Sequence, residues 1–164
     1  MALKEIFVTK ITDVDTSARD TVGDIRWENN KKYRYTKVAN TTATVAGVAG
    51  DPVACVKAAT DAAGAAAKNY GVLDVSDAAA QPECIGFLAA AVAGVHSPQV
   101  SYYCWLQISG VVAVPTAVTT GVLGSGCMMG GDKTLVVATG VIDSCAVLGA
   151  ASGANNEVTI KIGL

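Results

Sequence analysis

Beyond residue 40 the chain is written in short valine-rich runs closed off by glycine, a pattern that leaves little but β-structure open to it. Candidate strands are 42–48, 52–58, 85–91, 102–109, 134–139, 144–148 and 157–162. Turn signals part them at Gly50-Asp51, Ser97-Pro98, Gly110, Gly124-Ser125-Gly126, Gly130-Gly131-Asp132 and Gly153-Ala154-Asn155-Asn156. Many short strands at modest spacing predict an all-β fold, a small β-barrel or β-sandwich. The alanine-rich stretch 58–67 has the composition for a short helical turn, weakened by Thr60 and Gly64. Residues 58–83 are therefore expected to form a long insertion loop.

Charge is distributed unevenly. Residues 1–38 carry eight of the 12 Lys and Arg and six of the 14 Asp and Glu. Charged residues make up 16% of the whole, against a usual share of about 25%, and mean hydropathy is +0.41. Charge normally covers a soluble monomer's surface. A body so poor in it is expected to be covered by other subunits, because obligate interfaces resemble a core cut in half.

The charged quarter divides in two. Residues 1–21 show no sustained period; Ile6, Phe7, Val8 and Ile11 make a short β-prone patch before a polar stretch, which predicts an extended N-terminal arm. Residues 22–28 and 32–38 each alternate, and Asn29-Asn30 between them tolerates the left-handed backbone of a tight hairpin turn. A β-hairpin over 22–38 follows, opening a single domain over 22–164. Period-two spacing sets Ile25 and Trp27 against Arg26, and Tyr33 and Tyr35 against Arg34.

Chemistry-bearing constellations are hard to find. His96 is the only histidine, and its Gly94-Val95-His96-Ser97-Pro98 setting predicts a solvated turn rather than a general base. Gly121-Val122-Leu123-Gly124-Ser125-Gly126 lacks the order of a dinucleotide fingerprint, and Lys133 lacks the ending of a P-loop; both stretches predict hairpin turns. Asp13 with Asp15, and Asp74 with Asp77, offer fewer than the roughly six oxygens that calcium takes. Cys55, Cys84, Cys104, Cys127 and Cys145 form no CxxC and predict buried free thiols in a reducing compartment. No catalytic, metal or cofactor residue is expected.

The run Lys31-Lys32-Tyr33-Arg34-Tyr35-Thr36-Lys37 is the one functional-looking patch. Alternating Tyr and Lys/Arg can stack bases and touch phosphates, but the simpler expectation is a hairpin with packed aromatics and wet charges. A net charge of −2 gives no electrostatic case for nucleic acid as the main partner. The opening MALKEIFVTK has no apolar core of signal-peptide length, and the apolar run over 84–95 is too short to span a bilayer. Neither secretion nor a membrane partner is expected.

The hairpin from Gly23 to Val38 resembles a recurrent opening in small structural proteins of tailed bacteriophages. So do Ala49-Gly50-Asp51-Pro52-Val53, Trp105-Leu106-Gln107-Ile108-Ser109-Gly110 and the strand-like ending over 157–164. Together they resemble capsid decoration (cement) proteins over most of the chain. The alanine-rich insertion and the five cysteines depart from that pattern. The resemblance implies a non-enzymatic β-barrel or β-sandwich on the outer surface of the phage head, often trimeric, clamping copies of the major capsid protein. It also implies assembly in the bacterial host cytoplasm. In that setting the arm's Ile6, Phe7, Val8 and Ile11 and the hairpin's Arg26, Trp27, Lys32, Tyr33, Arg34 and Tyr35 become the candidate shell and subunit interface. The alternative is a carbohydrate- or receptor-binding β-module, whose signature would be solvent-facing aromatics at Trp105 or Tyr102-Tyr103.

Overall fold

The computed structural model describes residues 7–38, 45–55, 69–73, 84–94, 101–116, 118, 125–131, 133–137, 146–148, 157–160 and 162. They are almost entirely β: β1 (Val14–Asp15), β2 (Ile25–Glu28), β3 (Lys31–Val38), β4 (Pro52–Cys55), β5 (Tyr70–Val72), β6 (Cys84–Leu88), β7 (Tyr102–Ala113), β8 (Gly126–Gly131), β9 (Thr134–Val137), β10 (Ala146–Leu148) and β11 (Glu157–Ile160). Strands β3, β5, β4, β6 and β7 pair in that order, and β7 pairs back onto β3, closing a five-stranded barrel. All these pairings are antiparallel except β3 with β5.

Alternation along the strands sorts the side chains into three layers. Val38, Val53, Cys55, Leu73, Ile85, Leu88, Cys104, Leu106 and Ile108 form the barrel interior. Their neighbours Ala54, Val72, Cys84 and Phe87 point outward, against a second sheet that supplies Val112, Cys127, Met129, Leu135, Ala146, Val158 and Ile160. A smaller aromatic layer of Tyr33, Tyr35 and Trp105 lies outside β3 and β7.

Strand β7 belongs to both sheets. Tyr102–Ser109 pairs with β3, while Gly110–Ala113 pairs with β11; β11 then leads through β10 and β8 to β9. Gly110, expected as a turn, is the transfer point. Its φ of 93° lies where a side chain is disfavoured, so the strand changes direction without ending.

Three expectations are corrected. Residues 7–21 are no free arm: they fold onto the outer face of the barrel, and β1 within them pairs with β7 at Val14↔Cys104 and Asp15↔Tyr103. Of the turns expected at Gly124-Ser125-Gly126 and Gly130-Gly131-Asp132, residues Gly126, Gly130 and Gly131 lie instead within strand β8. The 58–83 loop contains β5, a stave of the barrel; the helical turn expected at 58–67 lies outside the described residues, as do residues 42–44 of the expected 42–48 strand. Within 45–48, only Gly47 makes a bridge, to Val92. The hairpin forms as read, with Asn29 and Asn30 at φ 50° and 63°.

Candidate functional site

The candidate residues sit on two faces of the hairpin and on the strap formed by residues 7–21. On the outer face, Phe7 meets Trp105 edge-on, centroids 5.3 Å apart, and Tyr35 tilts against the other flank of Trp105 at 5.2 Å. Ile11, Val22 and Tyr103 close around them. Trp105 is 0% exposed, so its indole N–H needs a buried acceptor. Thr9 provides it: Trp105 Nε1 donates to Thr9 Oγ1 at 2.9 Å.

Thr9 passes the contact on. Its hydroxyl donates to the Asp20 carboxylate in a short hydrogen bond, and the amides of Val8 and Thr9 donate to the same carboxylate at 3.0 and 3.1 Å. Burial pushes the Asp20 carboxyl up, but the Thr9 hydroxyl, the two amides and the nearby Arg26 charge outweigh it and hold it below the usual carboxylate range. Arg26 fastens the strap from the hairpin side. It donates to Thr9 O at 2.8 Å, lies 5.5 Å over the Phe7 ring and pairs with Glu28 at 2.6 Å.

Phe7, Ile11, Arg26, Tyr33 and Tyr35 are therefore brought together, as the fastening between strap and barrel rather than as a free binding face. Burial raises the Tyr33 and Tyr35 phenols. Arg34, expected on a wet face, is buried at 8% exposure on the barrel-interior side of β3, where desolvation lowers its pKa. Two of the remaining candidates stay in solvent: Val8 is 69% and Trp27 67% exposed. Lys32 lies across from Trp27 in the hairpin register, its ammonium 5.4 Å over the indole. Ile6 lies outside the described residues.

Thr9 and Asp20, the centre of this network, were not among the sequence candidates. A lone threonine in the apolar patch over 6–11 and an aspartate beyond it carry no pattern that announces a tryptophan partner near residue 105. The aromatic signature of a sugar-binding surface is also displaced, because Trp105 is buried and Tyr102 and Tyr103 are half-buried against core clusters.

Of the paired aspartates, Asp74 and Asp77 lie outside the described residues, and Asp13 and Asp15 already have partners. Asp13 accepts the Lys10 amide at 2.9 Å and Asp15 pairs with Arg19 at 3.0 Å. Cys55, Cys84, Cys104 and Cys127 are buried and take part in no disulfide; burial pushes the Cys104 thiol up to about 12. His96 and Cys145 lie outside the described residues. Among the described residues, no helix is long and apolar enough to cross a membrane.

Comparison with protein-family models, with curated proteins and with solved structures finds no match to this chain.

Proposed function

We propose that this chain is a capsid decoration protein of a tailed bacteriophage, binding the outer surface of the head and stabilising the lattice of the major capsid protein without enzymatic activity. Its partners are the major capsid protein and further copies of itself, and the resemblance of the hairpin and of the 105–110 segment implies a trimer. The observation that carries the reading is Val8. It is 69% exposed, yet the residues on either side, Phe7 and Thr9, are fixed to the barrel. An apolar side chain held rigidly in water loses little entropy on docking, and that preorganisation favours affinity. Several copies engaging one shell at once gain further from multivalency.

The strap's packing decides the form of the test. Deleting residues 1–21 would uncover Trp105 and confound binding with folding, so a point variant is used. Heads of the phage assembled without this protein are mixed with wild type or Val8→Asp and pelleted. Wild type is expected to co-sediment, and Val8→Asp to bind at least tenfold more weakly while melting normally. Wild type that stays in the supernatant sinks the reading.

A further inference from the structure

The edge of β2 has a particular hydrogen-bonding phase. A two-residue turn at Asn29-Asn30 makes Glu28 and Lys31 a hydrogen-bonded pair, and the Tyr35 amide donates to Asp24 O at 2.9 Å in the same phase. The Asp24 carbonyl and the backbone groups of Arg26 and Glu28 thus face β3, while the Asp24 amide turns back to Thr21 O at 2.9 Å; the amide and carbonyl of Ile25 and Trp27 point away from β3. Among the described residues β2 pairs only with β3.

Natural sheet edges are usually blunted by proline, lysine or a bulge. Strand β2, Ile-Arg-Trp-Glu, has none of these. Its one cation, Arg26, is turned onto the strap and tied to Thr9 and Glu28. Trp27, in contrast, stands two-thirds exposed with Lys32 over its ring. Tryptophan is among the side chains enriched at protein interfaces.

We propose that the free edge of β2 pairs with β2 of a second copy of this chain, antiparallel about a twofold axis through Trp27. Outward backbone groups at 25 and 27 allow three short registers. One sets Ile25 opposite the partner's Trp27, which forces Arg26 onto Arg26 and Asp24 onto Glu28. A second sets Ile25 opposite Ile25 with Asp24 facing Arg26, but there Trp27 falls opposite Gly23, whose amide is already given to Tyr35 O, and the Asp24 carboxylate is already held by the Thr21 amide. The third sets exposed Trp27 opposite Trp27, so that the two residues exchange both backbone hydrogen bonds and Arg26 faces Glu28 on each side. Like charges directly opposite destabilise a strand pair and opposite charges stabilise it, so the third register is the one formed. A contact in which the same patch serves both subunits is the ordinary geometry of a closed dimer. The pairing does not rest on shell binding, and it differs in symmetry from the trimer that the resemblance implies.

The test is sedimentation velocity of the full chain over a concentration series. Wild type is expected to dimerise, and Trp27→Ala and Glu28→Lys each to raise the dimer dissociation constant at least tenfold with melting temperatures little changed. A crosslink reads the register. Opposed residues in a hydrogen-bonded antiparallel pair have Cα atoms about 5.5 Å apart, within disulfide reach. Trp27→Cys should therefore oxidise to a covalent dimer, whereas Val111→Cys, exposed on the second sheet, should not. A chain that stays monomeric at its highest soluble concentration overturns the pairing. So does an oligomer, trimer included, that neither substitution weakens; that last result would leave the decoration reading standing, just as failure to pellet with heads would leave the pairing standing.

Discussion

Replacing Thr9 with valine keeps the side chain's shape and removes only the hydroxyl between Trp105 and Asp20. Two losses follow. The Trp105 indole N–H, on a residue 0% exposed, is left without its acceptor, which costs about 1–3 kcal/mol. The hydrogen bond to the Asp20 carboxylate also goes; bonds to charged groups contribute about 1.5–3 kcal/mol, and the lower end applies because Asp20 is only half-buried and keeps the two amides. Together Thr9→Val should cost about 2.5–4.5 kcal/mol, a large share of the 5–15 kcal/mol typical of a folded domain. Urea unfolding at pH 7 measures it. By NMR, exchange of the Trp105 indole proton should quicken while that of exposed Trp27 stays as it was. The sign of the pH dependence follows from Asp20, whose folded pKa is depressed. Its stabilisation is complete above the unfolded value near pH 4 and is lost as pH falls through the folded value. The gap between wild type and Thr9→Val should therefore narrow in acid. A cost under about 0.5 kcal/mol, the scatter of ordinary surface substitutions, would refute the account of the strap.

Gly71→Ala would drive a methyl into Val53 Cγ1 inside the barrel, with Ile85 Cδ1 only 3.2 Å away; urea unfolding should show a loss of about 1–3 kcal/mol. Asp51 is buried, and burial raises its carboxyl against the Val48 amide bond and the Lys133 charge. A raised folded pKa means that native protein holds the proton more tightly, so this group's contribution falls as pH rises from the ordinary carboxylate value through the raised one. Asp51→Asn keeps an acceptor for the Val48 amide and should remove that fall from melting temperatures measured between about pH 3 and 7. In native protein Cys55, Cys84, Cys104 and Cys127 should react with a thiol reagent only at the rate of unfolding, read by mass spectrometry; rapid labelling of Cys104, whose thiol is pushed up to about 12, would contradict its burial.

The parts of the fold legible in the sequence are those settled by neighbours in the chain. The hairpin is one, because two asparagines with positive φ close it and alternation fixes its faces. Strand β8 was hidden because glycine signals both a turn and a close approach. In β8 the second use prevails: a Cβ at Gly130 would run into the side chain of Val136 on β9. Strand β5 was hidden by its three-residue length within an alanine-rich stretch. The folding of the strap depends on a hydrogen bond between residues 96 positions apart, for which no local pattern exists. Arg34 was misplaced because alternation says which residues share a face, not which face is covered; both faces of β3 are.

The charge concentrated in residues 1–38 has an explanation in these contacts. A segment with few apolar residues to bury must be held by polar ones. Asp13 and Asp24 accept the amides of Lys10 and Thr21, Asp20 accepts those of Val8 and Thr9, Asp15 pairs with Arg19, and Arg26 joins strap to hairpin. Exposed ion pairs among these contribute little each, whereas carboxylates on backbone amides fix the path of the chain more firmly. The charge asymmetry is thus accounted for by folding, and it lends no separate weight to a docking arm. What assembly needs must come from side chains the fold leaves uncommitted, and among the described residues of this quarter Val8 and Trp27 are the two large apolar ones turned furthest into solvent. They lie on different elements, so their roles separate: Val8→Asp should weaken shell binding and spare self-association, and Trp27→Ala should weaken self-association first. A single variant that removed both would mean that the chain binds the shell only as a dimer.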